Sequence, residues 1–350
     1  MRSPGARMQT MSGITDLSTA RRTMVTVGAV VLLFAGYRIM LPGVDPDAGR
    51  SFAARFGVSS IFSIFSIGVM PIVSAAFVLE VAKLTVGRLR VWEAASPRNA
   101  TLLQRVWFVL SLLIAAAQAY GMAAAMLEIG DIVPDPQGFA PIAIATLMGA
   151  TALLFWLCLI VTRYGLVDGM WLLLAVHMLF GTPDLALGAR TMFAFGAPEL
   201  QAAALFVGAL LIVTALLAVA GARVAVEGEP DRVGALVWPI IVGYYSATLA
   251  NAAFLVAGSA LLSGRAPQLA MFAALAFLIA LMRSPAAEAG ASTQARIVLV
   301  ALQAATVIGG SLVRASVALP FVLNPLALVV AAAVVQVMAQ TAMKPGWRRG

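Results

Sequence analysis

The chain has 350 residues, of which 62% are apolar and only 11% carry a charge. That leaves too little polar surface to coat a water-soluble globule of this size, so lipid is its main solvent. A net charge of +8 does not make it a nucleic-acid binder. The basic residues are almost all Arg and are scattered through the links between apolar blocks, where they set membrane topology.

The blocks run to about 20 residues, the number a helix needs to cross a hydrocarbon core of about 30 Å, whereas barrel strands would be half as long and would alternate. In chain order they predict helices over residues 24–41, 61–84, 103–126, 141–162, 170–187, 201–222, 237–262, 267–282, 297–318 and 323–343. The first follows Arg21-Arg22, as a signal peptide would, but no small-residue cleavage site follows it. Tyr37-Arg38 and then Pro42-Gly43 close it, which favours a retained helix. The fifth has a short apolar core before Gly181-Thr182-Pro183, the pattern of a tilted or partly re-entrant segment.

The reading is an all-α membrane protein of about ten transmembrane helices, with a tail over 1–23, a single transmembrane domain over 24–343 and a tail over 344–350. If both termini are cytoplasmic, 17 of the 23 basic residues fall on the inner side, while the outer link 128–140 holds three acids and no base. Ten helices divide into two pseudo-symmetric five-helix halves, about 24–190 and 200–343, as an inverted repeat around a midplane pathway would.

The spans hold little chemistry. Ion-coupled transporters carry ionisable groups at helix midpoints, and here only His177 lies clearly within a block. A lone His on an apolar helix is read as hydrogen-bonded packing rather than a relay. There is no His-Glu-x-x-His pair, no Gly-x-Ser-x-Gly elbow with a base and no P-loop, so no enzyme, metal or cofactor is expected. Gly258-Ser259 is read as close helix packing. The single Cys158, inside an apolar block, permits no internal disulfide. A passive conduit or scaffold remains.

Several local signatures narrow the choice. After the first helix comes Tyr37-Arg38-Ile39-Met40-Leu41-Pro42-Gly43-Val44-Asp45, in which Pro-Gly ends a helix and turns the chain. The second helix holds Gly68-Val69-Met70-Pro71-Ile72-Val73-Ser74-Ala75, and Thr162-Arg163-Tyr164-Gly165-Leu166-Val167-Asp168-Gly169-Met170 joins the fourth to the fifth. Further on stand Ala222-Arg223-Val224, Ser284-Pro285, Gly290 with Thr293, and Val337-Met338-Ala339-Gln340. In these segments, in order from residue 37 to 340, the chain resembles the SecY family, the channel subunit of the general secretion translocon.

That resemblance implies a clam-shell of two halves, an hourglass pore with an apolar constriction, and a lateral gate between the second and seventh helices. Carried over residue by residue, it places the constriction at Val69, Val73, Met170, Leu174 and Val334, and the lateral gate at Met70, Pro71 and Asn251. It assigns cytoplasmic docking to Arg223, Arg232, Arg283 and Arg296. It implies SecE-like and SecG-like small membrane subunits, SecA or another motor, and an unfolded polypeptide as substrate. The setting is the cytoplasmic membrane of a bacterium. A narrow apolar waist makes physical sense, because it excludes water and ions by dewetting and still yields to a polypeptide without gripping its charges. Separately, the basic cluster Lys83, Arg88, Arg90 and Arg98 reads as contact with anionic lipids or a cytoplasmic motor, lipid being the default.

The chain departs from the family pattern at its links. Segments 221–236 and 283–296 are much shorter than the family's long basic loops, and Glu227, Glu229 and Asp231 stand beside Arg223 and Arg232. The link 45–60 is short and lacks the Gly-rich segment of the family's plug. Ile72 replaces a Tyr, Asp168 an Asn, and Pro239-Ile240-Ile241 stands for Pro-x-Lys. A specialised or paralogous member is therefore expected, translocating polypeptides across the membrane or inserting them into it. The alternatives are a small-solute permease and a non-conducting scaffold of an envelope assembly complex.

Overall fold

A computed structural model describes residues 19–56, 59–129 and 132–180. The helices expected over 201–222, 237–262, 267–282, 297–318 and 323–343 lie outside the described residues. The described chain forms α1 (Thr19–Arg38), α2 (Pro46–Phe56), a 3-10 turn (Ser59–Phe62), α3 (Met70–Thr85), α4 (Gly87–Ala95), α5 (Pro97–Glu128), α6 (Pro136–Tyr164) and α7 (Gly169–Phe180). No strand forms among the described residues, where the one extended pairing is an isolated antiparallel bridge between Met40 and Ser63.

Helices α1, α5 and α6 are each long and apolar enough to cross a membrane. Their outward faces carry large apolar side chains that stay well exposed, such as Val31 at 59%, Leu113 at 63% and Trp156 at 59%. Presenting such surface to water costs about 25 cal/mol for every Å², and lipid removes that cost. The protein is thus an all-α membrane protein.

Helix ends follow the local sequence. Pro97 opens α5 behind Ser96, whose hydroxyl accepts the Asn99 N–H at 3.2 Å, and Pro136 opens α6 behind Asp135, whose carboxylate accepts from Gln137 N at 3.2 Å. Inward packing relies on small residues. Ser111, Ala115, Ala119 and Ala123 recur every fourth position of α5 and are all buried. The three alanines lie in one core with Phe139, Ala143 and Leu147 of α6. Such a stripe lets two backbones approach where hydrophobicity alone gives helices in lipid no reason to associate.

The second predicted helix, 61–84, begins later than its apolar run. Ser59–Phe62 forms the 3-10 turn, residues 63–69 make successive turns, and α3 starts only at Met70. The reason is local: Gly68 adopts φ +52, outside the helical region, and Pro71 in the first turn of α3 has no N–H to give a preceding carbonyl. The link 45–60, read as short and lacking a Gly-rich plug segment, contains α2. Gly43 turns at φ +88, and the Asp45 carboxylate then accepts from Asp47 N at 2.7 Å and Ala48 N at 2.9 Å, capping α2. Past α3 the chain bends by 106° between Met70–Lys83 and Gly87–Ala95.

The turn from α6 to α7 is held by side chains of the motif 162–170. Thr162 Oγ1 accepts the Gly169 N–H at 2.8 Å and lies 2.8 Å from the Cys158 carbonyl. Asp168 Oδ1 accepts from Met170 N at 3.0 Å, so the Asp serves as helix cap as an Asn would. Thr26, 2% exposed on α1, accepts the Leu166 N–H at 3.0 Å and so docks the turn onto α1.

Two outcomes are expected. Thr26→Val removes that acceptor and should cost about 1 kcal/mol, read as a lower thermal midpoint in detergent, with Thr26→Ser close to wild type. The two backbone N–H groups, that of Ala48 foremost, hold the Asp45 carboxyl below its usual value of 3.8. Its contribution is therefore full above the unfolded-state pKa and is lost as pH falls through the lower folded value. Asp45→Ala should flatten the decline of the thermal midpoint below about pH 4, where the wild-type carboxyl begins to take up its proton.

Candidate functional site

The described chemistry is apolar. Among the described residues no group of three His, Cys, Asp or Glu side chains is placed to hold a metal ion. What the fold builds instead is a dense cluster where α1, the segment entering α3, α6 and α7 meet. Val69 and Val73 come from the entry and first turn of α3, and Met170 and Leu174 from the first two turns of α7. Val69 and Val73 are both 0% exposed, Met170 6% and Leu174 2%, and all four belong to one core with Ile72, Trp171 and Cys158.

The helices place these residues for simple reasons. Val69 caps α3 and its carbonyl accepts the Val73 N–H at 3.1 Å, one turn on, while Met170 and Leu174 are four apart on one face of α7. Trp107 of α5 braces the α3 side by donating its indole N–H to the Ile72 carbonyl at 2.9 Å, and its ring meets Phe155 of α6 edge-on at 4.8 Å. Val334, the fifth residue assigned to the constriction, lies outside the described residues. So do Asn251 of the expected lateral gate and the docking residues Arg223, Arg232, Arg283 and Arg296. Of the other gate residues, Pro71 is buried and Met70 is half-buried against the same core.

The basic cluster divides. Lys83 is taken up at 2.9 Å by Glu80 and at 2.9 Å by Glu93, which ties α3 to α4. Arg88 and Arg98 stay exposed. The sequence reading of His177 as hydrogen-bonded packing agrees with the structure, but its partner was not legible. That partner is Tyr37 of α1, 140 residues away. Gly68 was read only as part of a motif, and in space it faces the His177 ring: an added Cβ would stand 2.2 Å from Nδ1. The one signal that could have found this constellation was the presence of two polar aromatic groups, Tyr37 and His177, in otherwise apolar blocks.

Gly68→Ala should therefore destabilise the protein by about 1–2 kcal/mol from the backbone alone, and by more once the His177 ring is displaced. Thermal unfolding in detergent checks this, with Ser74→Ala on the same helix as a mild reference.

A family model described as SecY matches residues 63–234. The protein translocase subunit SecY of Streptomyces scabiei is 24% identical over 183 residues, covering 45% of this chain and 42% of the relative. That of Rickettsia bellii is 26% identical over 218 residues, covering 56% of this chain and 50% of the relative. The match thus spans half or less of these curated relatives. A solved structure described as "The plug domain of the SecY protein stablizes the closed state of the translocation channel and maintains a membrane seal" superposes with a TM-score of 0.61 at 14% identity, covering 95% of this chain and 93% of that one. At that identity the likeness carries the fold.

Proposed function

We propose that the chain is a member of the SecY family and works as a protein-conducting channel subunit that moves polypeptides across the cytoplasmic membrane of a bacterium or inserts them into it. It works as one membrane domain of two five-helix halves with both termini cytoplasmic, and catalyses no reaction of its own. SecE-like and SecG-like subunits clasp the halves. A motor such as SecA supplies the energy, with Arg223, Arg232, Arg283 and Arg296 on the cytoplasmic side.

The observation that carries this reading is the composition of the buried cluster. Residues assigned to a constriction from two segments about 100 positions apart fall in one core, and Val69, Val73, Met170 and Leu174 bring no charge or hydrogen-bonding group to it. A polar midplane pocket would favour a solute permease, and these residues supply none. An apolar waist of this kind, completed by Val334, opposes water and ions through dewetting and offers a passing chain no fixed charge to hold it. The lateral gate is formed by Met70, Pro71 and Asn251.

Reconstitution of the full chain in planar bilayers tests the reading. Val73→Gly and Leu174→Gly should each raise ion conductance by about tenfold or more over wild type, because they widen and wet the waist. Wild-type conductance in both variants, together with an unchanged set of envelope and secreted proteins on depletion of the chain, would leave a non-conducting scaffold as the better account.

A further inference from the structure

Three aromatic rings, those of Tyr37, Phe65 and His177, and two glycines bring α1, the segment entering α3 and α7 together. The Tyr37 hydroxyl is hydrogen-bonded to Nδ1 of His177. The two rings stack with centroids 6.0 Å apart and 26° between their planes. Tyr37 also meets Phe65 of the entry segment edge-on at 6.4 Å. Each remaining contact is a ring filling the space a glycine leaves. A Cβ on Gly36 would stand 1.9 Å from Phe65 Cδ2, and one on Gly68 would stand 2.2 Å from His177 Nδ1.

The register of these residues gives the node its meaning. His177 follows Leu174 by three positions on α7, which places it one turn along on the same face. Gly68 directly precedes Val69. The node therefore sits against both segments that supply the cluster, one residue from Val69 and one turn from Leu174. Apolar packing alone is non-directional and lets a helix slide or roll, whereas a hydrogen bond between two ring systems fixes both rotation and height. Away from water such a bond is also stronger than at a surface.

We infer that Tyr37 and His177 form an interhelical latch, a pair of positioning residues that holds α7 at a set rotation against α1 and the α3 entry. The latch makes these three elements move as one body. It rests on the pore reading only for its consequence, that the latch sets the width of the waist between Val69 and Leu174.

The test uses the full chain in liposomes. His177 is the only histidine, so a 15N-histidine label gives a single imidazole, and Tyr37→Phe should shift its Nδ1 resonance. Hydrogen exchange of the α7 amides should rise by about tenfold in Tyr37→Phe and in His177→Phe. It should return close to wild type in His177→Asn, whose amide sets a polar atom where Nδ1 stands. The same order, Phe variants high and Asn variant low, is expected for ion leak.

An unmoved Nδ1 resonance or unchanged α7 exchange in Tyr37→Phe, a variant lacking a single oxygen, overturns the latch. Unchanged leak in Tyr37→Phe and His177→Phe while Val69→Gly conducts overturns its role in setting the waist. Silence of Val69→Gly as well removes the pore reading instead, and the resonance and exchange results still judge the latch.

Discussion

Backbone polar groups surrounded by hydrocarbon have no water to bond, and that constraint shapes the described bundle most visibly where the chain is not helical. Residues 63–69 leave the helical hydrogen-bond pattern, yet several of their groups find partners nearby. Ser66 N bonds to Ser63 O at 3.0 Å, Gly68 N to Phe65 O at 2.8 Å and Met70 N to Ile67 O at 3.3 Å. On one side Leu41 N reaches Phe62 O at 2.7 Å and Ile64 N reaches Ile39 O at 3.0 Å. The segment is then sealed from lipid by its neighbours, with Phe65 2% and Val69 0% exposed. Burial within the protein is one of the conditions under which irregular backbone survives in a membrane protein.

The rest of the arrangement follows from sealing that segment. Helix α1 must lie close enough for Gly36 to take the Phe65 ring, and α7 close enough for Gly68 to face His177. Helix α5 reaches the same region through the Trp107 indole bonded to the Ile72 carbonyl. The α6–α7 turn is pinned to α1 by Thr26, which sets where α7 starts and hence where Met170 and Leu174 stand. An apolar cluster assembled this way is positioned by polar contacts such as those of Trp107 and Thr26, while Val69, Val73, Met170 and Leu174 bring only apolar side chains to it.

Much of this was legible in the sequence because lipid imposes a coarse code. Apolar blocks of spanning length placed α1, α5 and α6, and the motif residues carried the family likeness and the grouping of Val69 and Val73 with Met170 and Leu174. The same code misled over residues 61–69, which are apolar enough for a span. Hydropathy averages over a window and does not register that one glycine at positive φ and one proline suffice to stop a helix. It also passed over α2 and α4, short helices in links whose stability comes from a cap at Asp45 and from the Lys83–Glu93 pair.

What the sequence by itself determined was the solvent and the class of fold: 62% apolar residues in blocks of spanning length permit only helices in a membrane. Only the tertiary structure decided which polar groups meet. Tyr37 and His177 are separated by 140 positions, as are Thr26 and Leu166. No local pattern pairs residues at that distance. Their pairing is settled by the packing of whole helices, which depends on side-chain shape along α1, α6 and α7 rather than on the order of residues within any one of them.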